Sequence, residues 1–161
     1  MNSTDILLNN LKKYFLTDSL RILSKKLNIS VYIILNWSSG RSSPNIKNVD
    51  QIAYLLGVAT YQLLIPNNSL SINTPIWKDT LNSNLLENLG KLKNEKDIHE
   101  RSFYEENLGH GKMAYRSFLR YVNGQYKRIN LKTLDILADI FSVQSFELIQ
   151  NESENKYEEK N

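Results

Sequence analysis

The sequence predicts an all-α chain built as two small helical bundles, the second more divergent than the first. Three observations carry that expectation. Apolar residues follow a 3.6-residue stripe almost throughout. Gly, Asn and Pro break the stripe at short intervals, as turns require. The pattern then starts again downstream, with Leu7 echoed by Leu85 at an offset of 78. A chain of 161 residues is long enough for two such units, each with a modest core.

In the first unit, Ile6, Leu7, Leu11, Tyr14 and Phe15 mark a helix opened by Ser3 or Thr4 as N-cap. A second helix starts after Asp18 or Ser19 and buries Ile22, Leu23 and Leu27. Asn28 suits a left-handed turn residue, and Ser30 is the expected cap of a third helix. SSGRSSP ends that helix with Gly40 and Pro44. Val49, Ile52, Ala53 and Leu56 define a fourth helix that stops at Gly57. Thr60 is expected to cap a final turn carrying Tyr61, Leu63 and Leu64, closed by Pro66.

The run PNNSLSINTPIWK reads as a linker whose Ile76 and Trp77 are expected to dock on a neighbouring surface. Beyond it, LLENLGKL echoes LLNNLKKY, FLRYVNGQ echoes ILNWSSGR, and LDILADIFSVQSFELI echoes VDQIAYLLGVATYQLL. The offset grows from 78 at Leu7/Leu85 to 84 at Ile34/Phe118 and 85 at Asp50/Asp135, as loop insertions in a diverged duplication would produce. The expected boundaries are therefore 1–66 for the first domain, 67–78 for the linker and 79–149 for the second domain. Residues 150–161 form a polar, acidic tail expected to be disordered.

Net charge is only +3, but its distribution is uneven. Between Ser19 and Val49 there is no acid, against Arg21, Lys25, Lys26, Arg41 and Lys47. Between Asn107 and Leu134 there is again none, against Lys112, Arg116, Arg120, Lys127, Arg128 and Lys132. Such windows suit a phosphate-bearing partner. The chain lacks cysteine, no apolar run approaches the roughly 18 residues of a membrane span, and MNSTDILL lacks a secretory n-region. A cytoplasmic protein without membrane association is expected. So is a protein that is not an enzyme and holds no cofactor or metal. The two histidines, His99 and His110, have no ligand-spaced acid or cysteine near them, and no phosphate loop or nucleophile elbow occurs.

A groove-reading helix pair needs a small or apolar inner face, a turn residue that accepts an unusual backbone, and a buried anchor early in the second helix. Leu23-Ser24, Asn28-Ile29-Ser30, Ile34, Trp37 and Gly40 meet these needs in order. The stretch LSKKLNISVYIILNWSSGRSSP, followed by VDQIAYLLGVATYQLL, resembles the lambda-repressor-like, XRE-type helix-turn-helix regulators of bacteria and phages. The likeness is good from Leu7 to Pro66 and looser from Leu85 to Ile149. It implies two tandem, diverged five-helix units that bind double-stranded DNA and regulate transcription, as a repressor.

By that resemblance Ser19 and Leu20 lie at the phosphate-contacting start of the second helix. Val31, Tyr32, Leu35 and Asn36 face the groove, with Arg41, Ser42 and Ser43 on the backbone beyond and Lys47 at the start of the fourth helix. Asn45 and Asn48 are placed to hold phosphates at the start of the fourth helix. In the second unit Tyr115, Arg116, Ser117, Leu119 and Arg120 are the counterparts, followed by Gln125, Tyr126, Lys127 and Arg128. The departures are plain. Leu20 replaces a usual Gln, Ser38 a usual Glu, and the first reading face is apolar, so Asn36 alone there offers bidentate base contacts. The second unit has an expanded turn, LGHGK, and no closing Pro. It is expected to be the principal reader, within a homodimer, since the linker spans at most about 43 Å when extended and docked Ile76 and Trp77 would shorten it. The alternative is a protein-binding regulator, antitoxin-like or a phage inhibitor, whose Val31–Leu35 face meets a protein partner.

Overall fold

A computed structural model of the chain describes residues 1–70, 79–96, 103, 105 and 113–151. Among these residues the protein is all-α. In the first half, α1 (Ser3–Tyr14), α2 (Leu20–Leu27), α3 (Val31–Ser39) and α4 (Ile46–Leu56) lead into a 3-10 helix at Thr60–Leu64. In the second, a π turn at Leu81–Leu85 runs into α5 (Leu86–Lys96), followed by α6 (Tyr115–Val122), α7 (Leu131–Phe141) and α8 (Ser145–Ile149). No helix among the described residues is long and apolar enough to cross a membrane. Apart from Phe103 and Glu105, both helical, residues 97–112 with the LGHGK turn and both histidines lie outside the described residues, as do the linker residues Ile76 and Trp77 and the tail from Glu152.

Helix ends follow local chemistry with instructive exceptions. Ser19 caps α2 by accepting from the Ile22 N–H, and Asn28 ends it at φ 55°. Gly40 and Gly57 end α3 and α4 at φ 77° and 69°. The cap of α1 is Asn2, which accepts from the Asp5 N–H at 2.8 Å, rather than Ser3 or Thr4. Ser30 precedes α3 without making a side-chain cap bond. Thr60 is not a cap either, because its hydroxyl donates 2.6 Å to the Asp50 carboxylate. The hydroxyls of Ser3, Thr4 and Thr60 instead meet Asp135, Ser43 and Asp50, partners that helix-end spacing does not reveal.

Hydrogen bonds recur at the same offsets as the apolar pattern. Asn10 Nδ2 donates to the Leu63 and Ile65 carbonyls at 3.0 and 2.9 Å. Asn88 Nδ2 donates to the Leu148 and Gln150 carbonyls at 2.8 and 2.7 Å. Each amide thereby ties the first helix of its half to the terminal helical turn, satisfying carbonyls that turn leaves open. Asp50 accepts from Thr60 as Asp135 accepts from Ser145, the latter at 2.6 Å. Ser142 stands where Gly57 does, and it too is left-handed, at φ 55°.

The two halves of the chain do not keep separate cores. One continuous apolar cluster runs from Leu7, Leu23, Ile34 and Trp37 through Ile46, Tyr61 and Leu64 to Leu85, Phe118, Leu131, Phe141 and Ile149. The halves also exchange polar contacts. Asp50, on α4, accepts from the Thr80 N–H at 3.0 Å and from the Thr80 hydroxyl. Asp135, on α7, accepts from the Ser3 N–H at 2.9 Å and from the Ser3 hydroxyl. Thus each carboxylate holds the start of the other half's first helix, where free N–H groups favour an anion.

Between them lies a backbone seam. The Ile46 N–H donates to the Ile129 carbonyl at 2.9 Å and the Leu131 N–H to the Pro44 carbonyl at 2.8 Å. Asn45 and Asn130 therefore sit opposite each other in an isolated antiparallel bridge. Ser43 fastens one edge, its hydroxyl oxygen accepting from the Lys132 N–H at 3.1 Å and pairing with the Thr4 hydroxyl at 3.1 Å.

Two stability experiments follow. Burial raises the pKa of Asp50, the Asp79 charge adds to the rise, and the hydrogen bonds from Thr60 and Thr80 oppose it. The folded state then holds the proton more tightly than the unfolded chain, so this contribution to stability is complete below the ordinary carboxylate value. It is lost as pH rises through the raised one. Replacing Asp50 by Asn sets an amide against the Thr80 N–H and is expected to cost about 1–3 kcal/mol. Urea midpoints measured across that window should show the difference between wild type and Asp50→Asn shrinking as pH rises. Second, Gly124 has φ +75° and a Cβ there would come within 2.6 Å of Leu86 Cδ1, whereas Gly40 at φ +77° has open space. Gly40→Ala is expected to cost about 1–2 kcal/mol for the left-handed backbone alone, and Gly124→Ala more, by the same unfolding measurement.

Candidate nucleic-acid interface

The α2–turn–α3 unit is braced as its sequence implies. Leu23 and Ile34 are fully buried and Trp37 nearly so. The Ser24 hydroxyl donates to the Ile29 carbonyl across the turn, fixing the approach of α3. With those anchors turned inward, the outer side of α3 shows Tyr32 at 75% exposure, Ile33 at 45% and Leu35 at 44%, with Ser38 also outward. Val31 and Asn36 are half-buried. The Asn36 carbonyl accepts from the Arg41 and Ser42 N–H groups at 3.0 and 3.2 Å, which folds the loop back and leaves both side chains exposed.

The equivalent surface in the second half is α6. Phe118 is fully buried, 5.8 Å from Phe141 between ring centroids, so it anchors the helix and does not stack on a base. Arg116 and Arg120 point outward, while Tyr115, Ser117 and Leu119 are half-buried. Tyr121, in the last turn of α6, and Tyr126, beyond it, lie 6.3 Å apart between ring centroids, and the Tyr126 hydroxyl donates to the Leu81 carbonyl at 3.2 Å, so Tyr126 packs inward and is not part of the exposed loop face. Burial pushes the Tyr126 hydroxyl up to about 12, which keeps it a neutral donor. This aromatic pair holds the loop that exposes Gln125, Lys127 and Arg128.

The seam brings the two loops together. Because Pro44–Ile46 pairs with Ile129–Leu131, exposed Arg41, Ser42 and Lys47 share one region with exposed Lys127, Arg128 and Lys132. Lys47 and Lys132 occupy equivalent places, each in the first turn of the helix that starts at the bridge. None of these five cations, nor Arg116 or Arg120, makes an ion pair among the described residues; the ion pair found there, Lys91–Glu87, lies on α5. Ser19 stands apart at the start of α2, half-buried, its hydroxyl oxygen engaged with the Ile22 N–H at 3.3 Å.

Asn45 and Asn48 accept each other's backbone N–H through Oδ1 in a reciprocal cap, at 2.9 and 3.1 Å, which fixes both side chains at the start of α4. Asn130 does the same for α7, its Oδ1 accepting from the Thr133 N–H at 2.8 Å. Sequence reasoning placed Ser43 in the loop after α3 and Lys132 in a basic window, but missed the bridge that brings them together. The only signal was that Asn45 and Asn130 each stand one residue before an apolar helix start and two before a lysine. No group of three metal-ligating side chains occurs among the described residues.

Compared with models of protein families, with curated proteins and with solved structures, the chain matches none.

The orientation of α3 is open to a direct test. Trp37→Ala is expected to destabilise by about 3–5 kcal/mol as a large buried ring is lost, whereas Tyr32→Ala should stay within about 0.5 kcal/mol. Equilibrium urea unfolding of the two variants measures both.

Proposed function

We propose that the protein binds double-stranded DNA sequence-specifically and regulates transcription in the cytoplasm, as a repressor, through two helix-turn-helix elements. In this reading residues 1–66 and 79–149 are diverged copies of one lambda-repressor-like unit. Each copy has a recognition helix, α3 or α6, and a backbone-contacting loop after it. The observation that carries the reading is the seam: five exposed cations, unpaired among the described residues, on two loops joined backbone to backbone, each loop following an outward-facing helix. Acid-free cations held close together create a positive potential that duplex phosphates would neutralise.

Arg41, Ser42, Lys47, Gln125, Lys127, Arg128 and Lys132 are the phosphate-contacting set, fixing the position of the protein on the duplex. Tyr32, Leu35, Asn36, Arg116, Ser117 and Arg120 face base edges, with Tyr115 supporting the start of α6. Ser19 meets the backbone at the start of α2.

A second reading keeps the fold and gives α3 to a protein. Tyr32, Ile33 and Leu35 form an exposed apolar row that suits a toxin-like or effector partner at least as well as thymine methyls. Fluorescence anisotropy with a generic duplex across a potassium chloride series separates the two. Neutralising about six phosphates predicts a log–log slope near −5, and a salt-insensitive, negligible response would favour the protein partner. Within the DNA reading, removing the charges of Arg116 and Arg120 together should weaken binding more than Val31→Ala; the opposite order would displace α6 as principal reader.

A further inference from the structure

The contacts between the two halves have the form of a two-fold interface closed inside one chain. In a symmetric dimer, if residue i of one subunit touches j of the other, j also touches i. Here Ile46 donates to Ile129 while Leu131 donates to Pro44, and both pairs of equivalents, 46/131 and 44/129, are related by the offset of 85. Asn45 opposes its own equivalent, Asn130. Asp50 holds Thr80 while Asp135 holds Ser3. Ser3 and Thr80 differ by 77, whereas Asn10 and Asn88 differ by 78. The π turn at Leu81–Leu85 absorbs the added residue, as such turns do.

Two consequences follow. The surfaces through which one unit would pair with a second copy are already filled, and Ser3, Asp50 and Thr80 are buried there. A second chain would have to displace them. The two outward helices, moreover, are not copies chemically. Tyr32, Ile33 and Asn36 on α3 stand where α6 has Arg116, Ser117 and Arg120, and only Leu35 and Leu119 agree. A homodimer would present the same face twice; this chain presents two different ones.

Resting on the DNA reading above, we infer that one chain alone occupies a duplex with two unlike half-sites. α3 would lie over a thymine-rich half-site, read through methyl contacts. α6 would lie over a guanine-bearing one, read by Arg116 and Arg120. The lengths of chain from α3 and α6 to the bridge set an upper bound of about 50 Å on the separation of the helix ends, against a half-site spacing of about 34–36 Å. The operator is then non-palindromic, and the homodimer expected from the family resemblance is not needed.

The test is selection of the full chain against duplexes carrying a randomised 30-base-pair core, followed by native mass spectrometry of the chain on the enriched duplex. The expected result is one chain per duplex and a motif of two different half-sites. Arg116→Ala with Arg120→Ala should lower affinity for the guanine-bearing half-site about 5- to 150-fold for each bidentate arginine–guanine pair removed, leaving the preference in the other half unchanged. Tyr32→Ala with Leu35→Ala should relax only the thymine-rich half. All four side chains are exposed, and far-ultraviolet circular dichroism verifies that the variants fold. A palindromic motif carrying two chains, or both double variants acting on one half-site, overturns the inference and leaves DNA binding standing. Failure to enrich any duplex, with no salt-dependent anisotropy change, removes both.

Discussion

The architecture depends on two carboxylates, Asp50 and Asp135, that take their donors from both halves of the chain. Each accepts a hydroxyl from its own half, Thr60 or Ser145, and a backbone N–H plus a hydroxyl from the first helix of the other. A carboxylate removed from water is costly unless donors replace the lost hydration. Since those donors are shared across the molecule, parting the halves would strand both acids together with two helix N-termini. The apolar cluster crosses the same boundary, so hydrophobic burial and polar satisfaction favour the same closed arrangement.

That closure sets the electrostatics of the surface. Arg41, Lys47, Lys127, Arg128 and Lys132 repel one another, and their repulsion is lowered only by salt or by an anionic partner. What holds the loops together against it is the pair of backbone hydrogen bonds at the bridge, flanked by fully or nearly buried Ile46, Ile129 and Leu131. With Asp50 and Asp135 turned to internal hydrogen bonds, the paired loops keep an uncompensated positive field. The same division between inside and outside explains the difference between α3 and α6. Their inner faces answer to the core and stay alike in kind, aromatic or aliphatic at Ile34/Phe118 and Trp37/Tyr121, whereas nothing in the packing constrains the outer faces, which have diverged.

Much of the local structure was legible in the sequence. The buried anchors Ile34 and Trp37, the left-handed Asn28, Gly40 and Gly57, and the cap Ser19 all lie where spacing and residue type put them. Those features depend on neighbours within about one helical turn, which a linear pattern contains. Ile22, expected in the core, is instead 44% exposed on α2. Ser3 and Thr60 are residues that cap helices, and spacing alone does not reveal whether a hydroxyl serves its own helix or a distant group. Ser3 reaches a carboxylate 132 residues away.

By itself, then, the amino-acid order determined the helical class, the anchors of α3 and α6, the doubling of the pattern and the two acid-free basic windows. Each of these is a property of periodicity or composition over short range. Only the tertiary structure decided that the halves share one core, that Asp50 and Asp135 clasp each other's leading helices, and that the two cationic loops meet at Asn45 and Asn130. Those outcomes arise from matching donors to acceptors and apolar faces to one another across long sequence separations. The chain fixes such pairings only when it closes on itself.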